Sequence, residues 1–245
     1  MNVLKEHQQF EQLLAGYKPS AEGLKLLSEL KLVLLSGPTA SGRNTIISRL
    51  LKDDAYRYIV SDTTRTPRIN NGVREKNGVT YWFRSETEVL KELRRGEFLE
   101  AEVIHNQQVS GISIRELAKA NEAGKIAITD IEIGGFNRVL DLKPDTVGIL
   151  LLPPSFEEWL QRLFDRGKMT QSEIINRLQT AARIFAQAAT NTQIQIVIND
   201  RLQRAASEVD RLAHGEKTTD SGSKLRLAQT LLGQTESYLH ARFSI

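Results

Sequence analysis

The residues best suited to chemistry begin at Gly37. The run Gly37-Pro38-Thr39-Ala40-Ser41-Gly42 has the spacing G-x-x-x-x-G, follows the apolar stretch Leu32–Leu35 and opens a segment patterned as a helix near Asn44–Lys52. A glycine-rich turn between a strand and a helix can wrap backbone N–H groups around a phosphate, at a helix N-terminus whose dipole favours an anion. Gly37, Ser41, Gly42, Arg43, Asn44 and Thr45 are therefore the candidate phosphate-contacting residues. A P-loop continues with Lys and then Ser or Thr, the ammonium bridging the β and γ oxygens and the hydroxyl ligating magnesium. Arg43 and Asn44 stand in those two places. Arg keeps the charge in a bulkier planar fork, and Asn44 offers magnesium only a weak carbonyl oxygen. A glycine-rich turn without any ligand is the plain alternative for this segment taken alone.

Such a loop needs a buried strand behind it and helices around it, and the rest of the chain supplies that rhythm. The runs KLVLLSG, RYIVS, KIAITDIEI, DTVGILLL and IQIVIND alternate with amphipathic stretches. This pattern predicts an α/β fold with a mainly parallel core sheet and helices on both faces. Between Thr63 and Gln108 the rhythm changes: short strands near Thr80–Phe83 and Phe98–Val103 flank a helix near Ser85–Arg95, which reads as an inserted subdomain over about 61–110. Residues 1–30 read as a helical extension, a helix from about Asp200 to His214 closes the core, 215–224 is a linker by composition, and 225–245 is a last helix. The terminal helices carry Leu at helical spacing, which suits docking on the core, a homodimer or a helix-mediated partner.

Composition narrows the chemistry further. Of 245 residues 40% are hydrophobic and 26% charged, enough for a sizeable core. There is no Cys, so thiolate nucleophiles, disulfides and Cys-based zinc sites are excluded, and the four His (His7, His105, His214, His240) form no ligand spacing. The net charge of +3 suits phosphate ligands but does not argue for nucleic acid. No apolar run approaches the roughly 20 residues of a membrane span, and MNVLKEHQQF lacks a signal-peptide core, so a cytoplasmic protein with no membrane partner is expected. Trp82 and His105, in the insert, read as packing residues.

Downstream of the loop, Val60-Ser61-Asp62-Thr63-Thr64-Arg65-Thr66-Pro67-Arg68 is followed by Glu75-x-x-Gly78-x-x-Tyr81-x-Phe83 and by Gly96-Glu97-Phe98-Leu99-Glu100. Asp130-Ile131-Glu132, Leu152-Pro153-Pro154-Ser155, Arg166-Gly167, Arg177-Leu178 and Val197-Ile198-Asn199-Asp200 follow in order. In this ordered set the chain resembles the guanylate kinase family, a P-loop kinase fold, over about Lys31 to Leu212. The resemblance implies an ATP-Mg²⁺ donor site on the glycine loop and a GMP site in the insert. Arg65 and Arg68 would clamp the monophosphate with Tyr81 adding a hydroxyl. Glu100 would accept the N1–H and 2-amino protons of guanine, with Ser61 completing base recognition. Asp130 and Glu132, two apart at a strand end, face the nucleotide crevice, and Glu132 counts among the GMP-binding residues. Arg166 and Arg177 match the arginines of a lid over about 164–173 and join Arg43 as the catalytic set.

Departures from the family fall in three places. Arg43 and Asn44 alter the donor loop, Ile69–Arg74 gives six residues where the family usually has two, and the second phosphate-binding Tyr is lost near Ser110, with Ile112 replacing a final Ser/Thr. The Glu and Asp of the family appear swapped as Asp130 and Glu132. The expected activity is phosphoryl transfer from ATP to GMP, weakened by these departures. The alternative is a guanylate-kinase-like module that binds GMP or a phosphorylated partner without turnover.

Overall fold

Leu32–Ser36 are five consecutive buried residues, a pattern that only a strand covered on both faces can hold. The computed structural model describes residues 4–70, 72–104, 106–191, 194–217 and 220–244, which leaves His105 outside the described residues. Along the chain the elements are α1 (His7–Ala15), α2 (Ala21–Glu29), β1 (Leu32–Ser36), α3 (Arg43–Leu50), β2 (Tyr56–Tyr58), β3 (Asp62–Thr63), β4 (Ile69–Asn70), β5 (Val73–Arg74) and β6 (Trp82–Phe83). They continue with α4 (Glu86–Arg94), β7 (Phe98–Ile104), β8 (Gln108–Ser113), α5 (Ile114–Ala123), β9 (Ile126–Asp130), α6 (Ile133–Leu142) and β10 (Val147–Leu152). The last are α7 (Phe156–Phe164), α8 (Gln171–Thr190), β11 (Gln195–Ile198), α9 (Leu202–Ala213) and α10 (Ser221–Phe243). The class is α/β with a mainly parallel core sheet and helices on both faces, as the alternating pattern predicts.

The chain divides into two units. One comprises 33–53, 130–133 and 147–245. In it β11-β10-β1 pair in parallel, with Val33 opposite Val147 and Leu152 opposite Ile198. Trp159 of α7 is fully buried, its ring edge-on to Phe185 of α8. The helix α10 packs along α8, and Tyr238 meets Phe156 edge to face. It begins at Ser221, four residues before the start at 225 that the sequence reading expects, because the Asp220 carboxylate accepts the Ser223 N–H and caps the helix. Composition marks the segment as polar but does not reveal a cap.

The other unit comprises 1–32, 54–129 and 134–146. It pairs β2 with β9 in parallel and holds the inserted subdomain as a four-stranded sheet, β6-β3-β8-β7. Within the lengthened segment, β4 (Ile69–Asn70) pairs antiparallel with β5 (Val73–Arg74), Ile69 opposite Arg74 and Asn70 opposite Val73. Trp82 packs as expected and also donates Nε1–H to Glu116 at 3.1 Å. The N-terminal helices are integral to this unit. Leu4 and Phe10 join Val89, Leu90, Leu93, Phe98, Ala101 and Val109 in one buried cluster, with Leu13, Leu14 and Tyr17 packed against it. Ser20 caps α2 and donates its N–H to the Gly96 carbonyl at 2.9 Å. Among the described residues no helix is long and apolar enough to cross a membrane.

Phe10 is completely buried in that cluster. Phe10→Ala should therefore destabilise the protein by about 3–5 kcal/mol, the range for removing a core aromatic. Urea unfolding followed by fluorescence measures it, and a loss below about 1 kcal/mol would mean that α1 is dispensable to the core.

Candidate active site

The donor half of the site is built at the end of β1. A Cβ on Gly37 would lie 2.5 Å from the Leu151 carbonyl oxygen and 2.8 Å from Ser41 Oγ, so only glycine fits there. Gly42 has φ +97 and caps α3, and a Cβ on it would lie 2.3 Å from Asn199 Nδ2. Two side chains hold the loop from outside: Trp159 Nε1 donates to the Thr39 carbonyl and Asn199 Nδ2 to the Ser41 carbonyl, both at 2.8 Å. A trans peptide is planar, with its C=O and N–H opposed, so fixing these two carbonyls turns the N–H groups of Ala40 and Gly42 the other way. The result is a backbone cradle suited to an anion. Ala40 sits at φ +69, a left-handed conformation that costs a non-glycine residue about 1–2 kcal/mol. The Ser41 hydroxyl is buried without a hydrogen-bond partner among the described residues, an orphaned group beside the cradle.

Around the cradle the charge is positive. Arg43, half-buried at the start of α3, reaches only to 4.0 Å from Asp130 Oδ2, too long for a strong charge-assisted bond. Arg166, between α7 and α8, and Arg177, on α8, form no ion pair among the described residues. Although Arg166 is exposed as a residue, crowding around its guanidinium lowers its pKa, and the charges of Arg177 and Arg43 lower it further. The three expected catalytic arginines are thus brought within electrostatic reach of one another. Asn44, Thr45 and Glu132 are exposed, and Glu132 falls in this unit with Asp130. Asn199, quoted in the sequence pattern but given no role there, and Trp159 are the residues that the sequence reading missed on this side.

The acceptor half lies in the other unit. Arg65, 9% exposed, points its fork at Glu75, with Nη2 to Oε1 at 2.8 Å, and stacks over the Tyr81 ring at 4.8 Å. Glu75 also accepts the Arg68 N–H at 2.8 Å. Arg65, Arg68 and Tyr81 are brought together around Glu75, whose part the sequence reading left out. The signal lay in the spacing Glu75-x-x-Gly78-x-x-Tyr81. A buried guanidinium without an anion beside it would be costly, and Glu75 meets that need. Ser61, half-buried, accepts the Trp82 N–H at its carbonyl. Across the sheet Ser110 Oγ donates to Thr63 Oγ1 at 2.8 Å, and Thr64 Oγ1 accepts the Val109 N–H.

Glu100 is the buried polar centre of this half, 4% exposed on β7, where Oε1 accepts the Ile112 N–H at 3.2 Å. A Cβ on Gly111 would lie 2.3 Å from the Glu100 carbonyl oxygen, so glycine is what lets β8 approach here. Asp62, buried, accepts from both Arg84 and Arg115 at 3.0 Å and ties β3 to the elements beside it.

The Arg65 hydrogen bond, with further help from Arg68, holds the Glu75 carboxyl below its ordinary value. A depressed carboxylate pKa adds stability that is complete above the unfolded value and is lost as pH falls through the folded one. Glu75→Gln should therefore lower the melting temperature at pH 7 and make its further decline below about pH 4.5 shallower than in the parent. Parallel melting curves from pH 7 to pH 3 check this, and identical acid limbs would remove Glu75 from the linkage.

Comparison with known proteins meets this geometry. The family model described as "Guanylate kinase" matches residues 29–216. Guanylate kinase from Bifidobacterium longum is 34% identical over 185 residues, 73% of this chain and 91% of that protein. The enzyme so named from Clostridium perfringens is 32% identical over 211 residues, 85% of this chain and 92% of that one. The crystal structure of guanylate kinase from Anaplasma phagocytophilum superposes with a TM-score of 0.58 at 24% identity, covering 88% of this chain and 96% of that one, and speaks for the fold. A glycine cradle ringed by arginines, an insert carrying the T-T-R and G-E-F-L-E blocks, and relatives matched over nine-tenths of their length lead to one assignment: the chain belongs to the guanylate kinase family.

Proposed function

We propose that this protein transfers the γ-phosphoryl group of ATP to GMP, giving ADP and GDP. A phosphate oxygen of GMP attacks the γ-phosphorus as the bond to the leaving ADP oxygen breaks, so no covalent enzyme intermediate is required. The observation that carries the reading is Glu100. It is a buried carboxylate, 4% exposed, in the sheet of the insert, and the paired donors of guanine fit a carboxylate where adenine offers none in that arrangement. Arg68, exposed, and Tyr81 meet the GMP phosphate on this reading, while Arg65 contributes mainly its charge, its fork being engaged by Glu75. The Gly37–Gly42 cradle takes the ATP phosphates, and Arg43, Arg166 and Arg177 offset the charge that develops on the transferred group. ATP arrives with a divalent ion, magnesium, which neutralises phosphate charge. Asn44, just after the loop, would offer it a weak carbonyl oxygen, and Asp130, at the strand end, a carboxylate of the kind that suits a hard cation. A cytoplasmic setting, where both nucleotides are supplied, belongs to the same reading.

A coupled assay with ATP and GMP, run beside AMP, CMP and UMP, tests the reaction and its base preference. Turnover with GMP well above the other three is expected, and Glu100→Gln should raise KM for GMP through loss of a buried acceptor, on the order of 1–3 kcal/mol. Turnover that ignores the base would refute the assignment of Glu100.

The two loop departures yield a second expectation. Misplacement of a phosphate-bridging group by about 1 Å can cost roughly 10²-fold in rate. Arg43→Lys with Asn44→Ser should accordingly raise kcat/KM at least tenfold and leave GMP affinity nearly unchanged. If the parent binds GMP but neither protein turns it over, the binding-module alternative replaces the enzyme reading.

A further inference from the structure

The side chain of Tyr17 lies between α1 and α2, in a segment that precedes the family-matched residues. Its ring packs against the cluster of Phe10 and Phe98. Its hydroxyl donates to the Phe98 carbonyl at 2.6 Å and accepts the Phe98 N–H at 2.9 Å. One side chain therefore satisfies both main-chain groups of a single strand residue. Strand β7 is the edge of its sheet and the Ile114 N–H bonds the carbonyl of the preceding residue, Glu97, so the Phe98 groups face the side of β7 that no strand covers among the described residues. Without Tyr17 they would be unpaired polar groups beside a buried apolar cluster.

The contact falls at a critical step in the strand. The register of β7 against β8 runs Phe98 opposite Ser113 and then Glu100 opposite Ile112, with an irregularity between Phe98 and Glu100. A bulge of this kind bends the strand and re-aims the side chain that follows it. That side chain is Glu100, whose Oε1 accepts the Ile112 N–H. The other flank of the bulge is held as well. Gly96, at φ +71, accepts the Ser20 N–H, and a Cβ on it would lie 2.8 Å from the Ser20 nitrogen. Both holds come from the segment joining α1 to α2. The Tyr17 hydroxyl is pushed up to about 12, first by burial and then in part by the negative charge of Glu100, in keeping with a phenol close to that carboxylate.

We propose that Tyr17 is a positioning residue for Glu100: by holding both main-chain groups of Phe98 it fixes the β7 bulge and so sets how the protein distinguishes guanine from other bases. The N-terminal helices are then part of the acceptor site's specificity, although they contribute no group to the ligand. The inference rests on the reading of Glu100 as the guanine acceptor.

The test uses the full-length protein with Tyr17→Phe, which keeps the ring and removes only the hydroxyl, assayed well below its melting temperature. KM for GMP should rise about five- to tenfold, while kcat and KM for ATP stay within twofold. Preference for GMP over inosine monophosphate, which lacks the 2-amino group, should fall. Glu100→Gln and the double variant complete the set. If Tyr17 acts through Glu100, the double variant has the GMP KM of Glu100→Gln alone; multiplying effects, or equal changes in both KM values, would mean a general structural role and overturn the proposal. If Glu100→Gln leaves KM for GMP unchanged, the base-pocket reading fails and this inference with it. If Glu100→Gln raises KM and Tyr17→Phe does not, the inference alone fails. Hydrogen exchange on the unaltered chain gives an independent check: slow exchange at the Phe98 amide supports the contact, and fast exchange refutes it.

Discussion

Keeping a carboxylate away from water at a defined place in an apolar sheet is the constraint on which the acceptor half depends. An isolated buried charge is expensive, so everything around Glu100 serves either to hold it or to aim it. Gly111 lets β8 approach to the point where Ile112 can offer its N–H, and the register shift between Phe98 and Glu100 falls immediately before the carboxylate. Asp62, braced by Arg84 and Arg115, anchors β3, and the Thr63–Ser110 bond joins that strand to β8. A smaller or misregistered sheet would leave the carboxylate either solvated or unpaired, and in neither state could it serve the base recognition proposed for it.

The donor half solves the opposite problem, that of presenting positive character from neutral groups. Its solution is to grip two carbonyls from outside with Trp159 and Asn199, so that the amides opposed to them face the ligand side. This grip does not depend on the identity of residue 43 or 44. The backbone part of the site is therefore intact where its two side-chain positions depart from the family pattern. Ala40, held at φ +69, carries strain that the same grip sustains.

Much of this was legible in the sequence because it is local. Near-continuous apolar runs identify parallel strands, and β1, β9, β10 and β11 lie within the runs assigned to them. The glycine spacing places the cradle, and the ordered blocks place Arg65, Arg68, Tyr81 and Glu100 in one unit. What escaped is non-local. That Arg65 spends its fork on Glu75 depends on a turn of the chain between them, and periodicity says nothing about it. The pairing of β4 with β5 in the lengthened segment is not visible in sequence because each strand is two residues long. The N-terminal helices looked like an appendage, since their apolar stripe is visible in sequence but its destination on β7 and α4 is not. The early start of α10 follows from one capping carboxylate, a signal too short to separate from linker composition.

Arg43, Arg166 and Arg177 have a consequence that extends beyond contact distance. These three like charges, with Asp130 Oδ2 4.0 Å from Arg43, contribute a positive potential around the cradle. Such a field extends over a screening length of about 8 Å at physiological ionic strength and shrinks as salt is added. It draws in any polyanion, so sulfate or inorganic phosphate in a buffer competes for the place of the nucleotide's own phosphates. The apparent affinity for a triphosphate is then a joint property of the loop and of the electrolyte around it, and comparisons between preparations hold only at matched ionic composition.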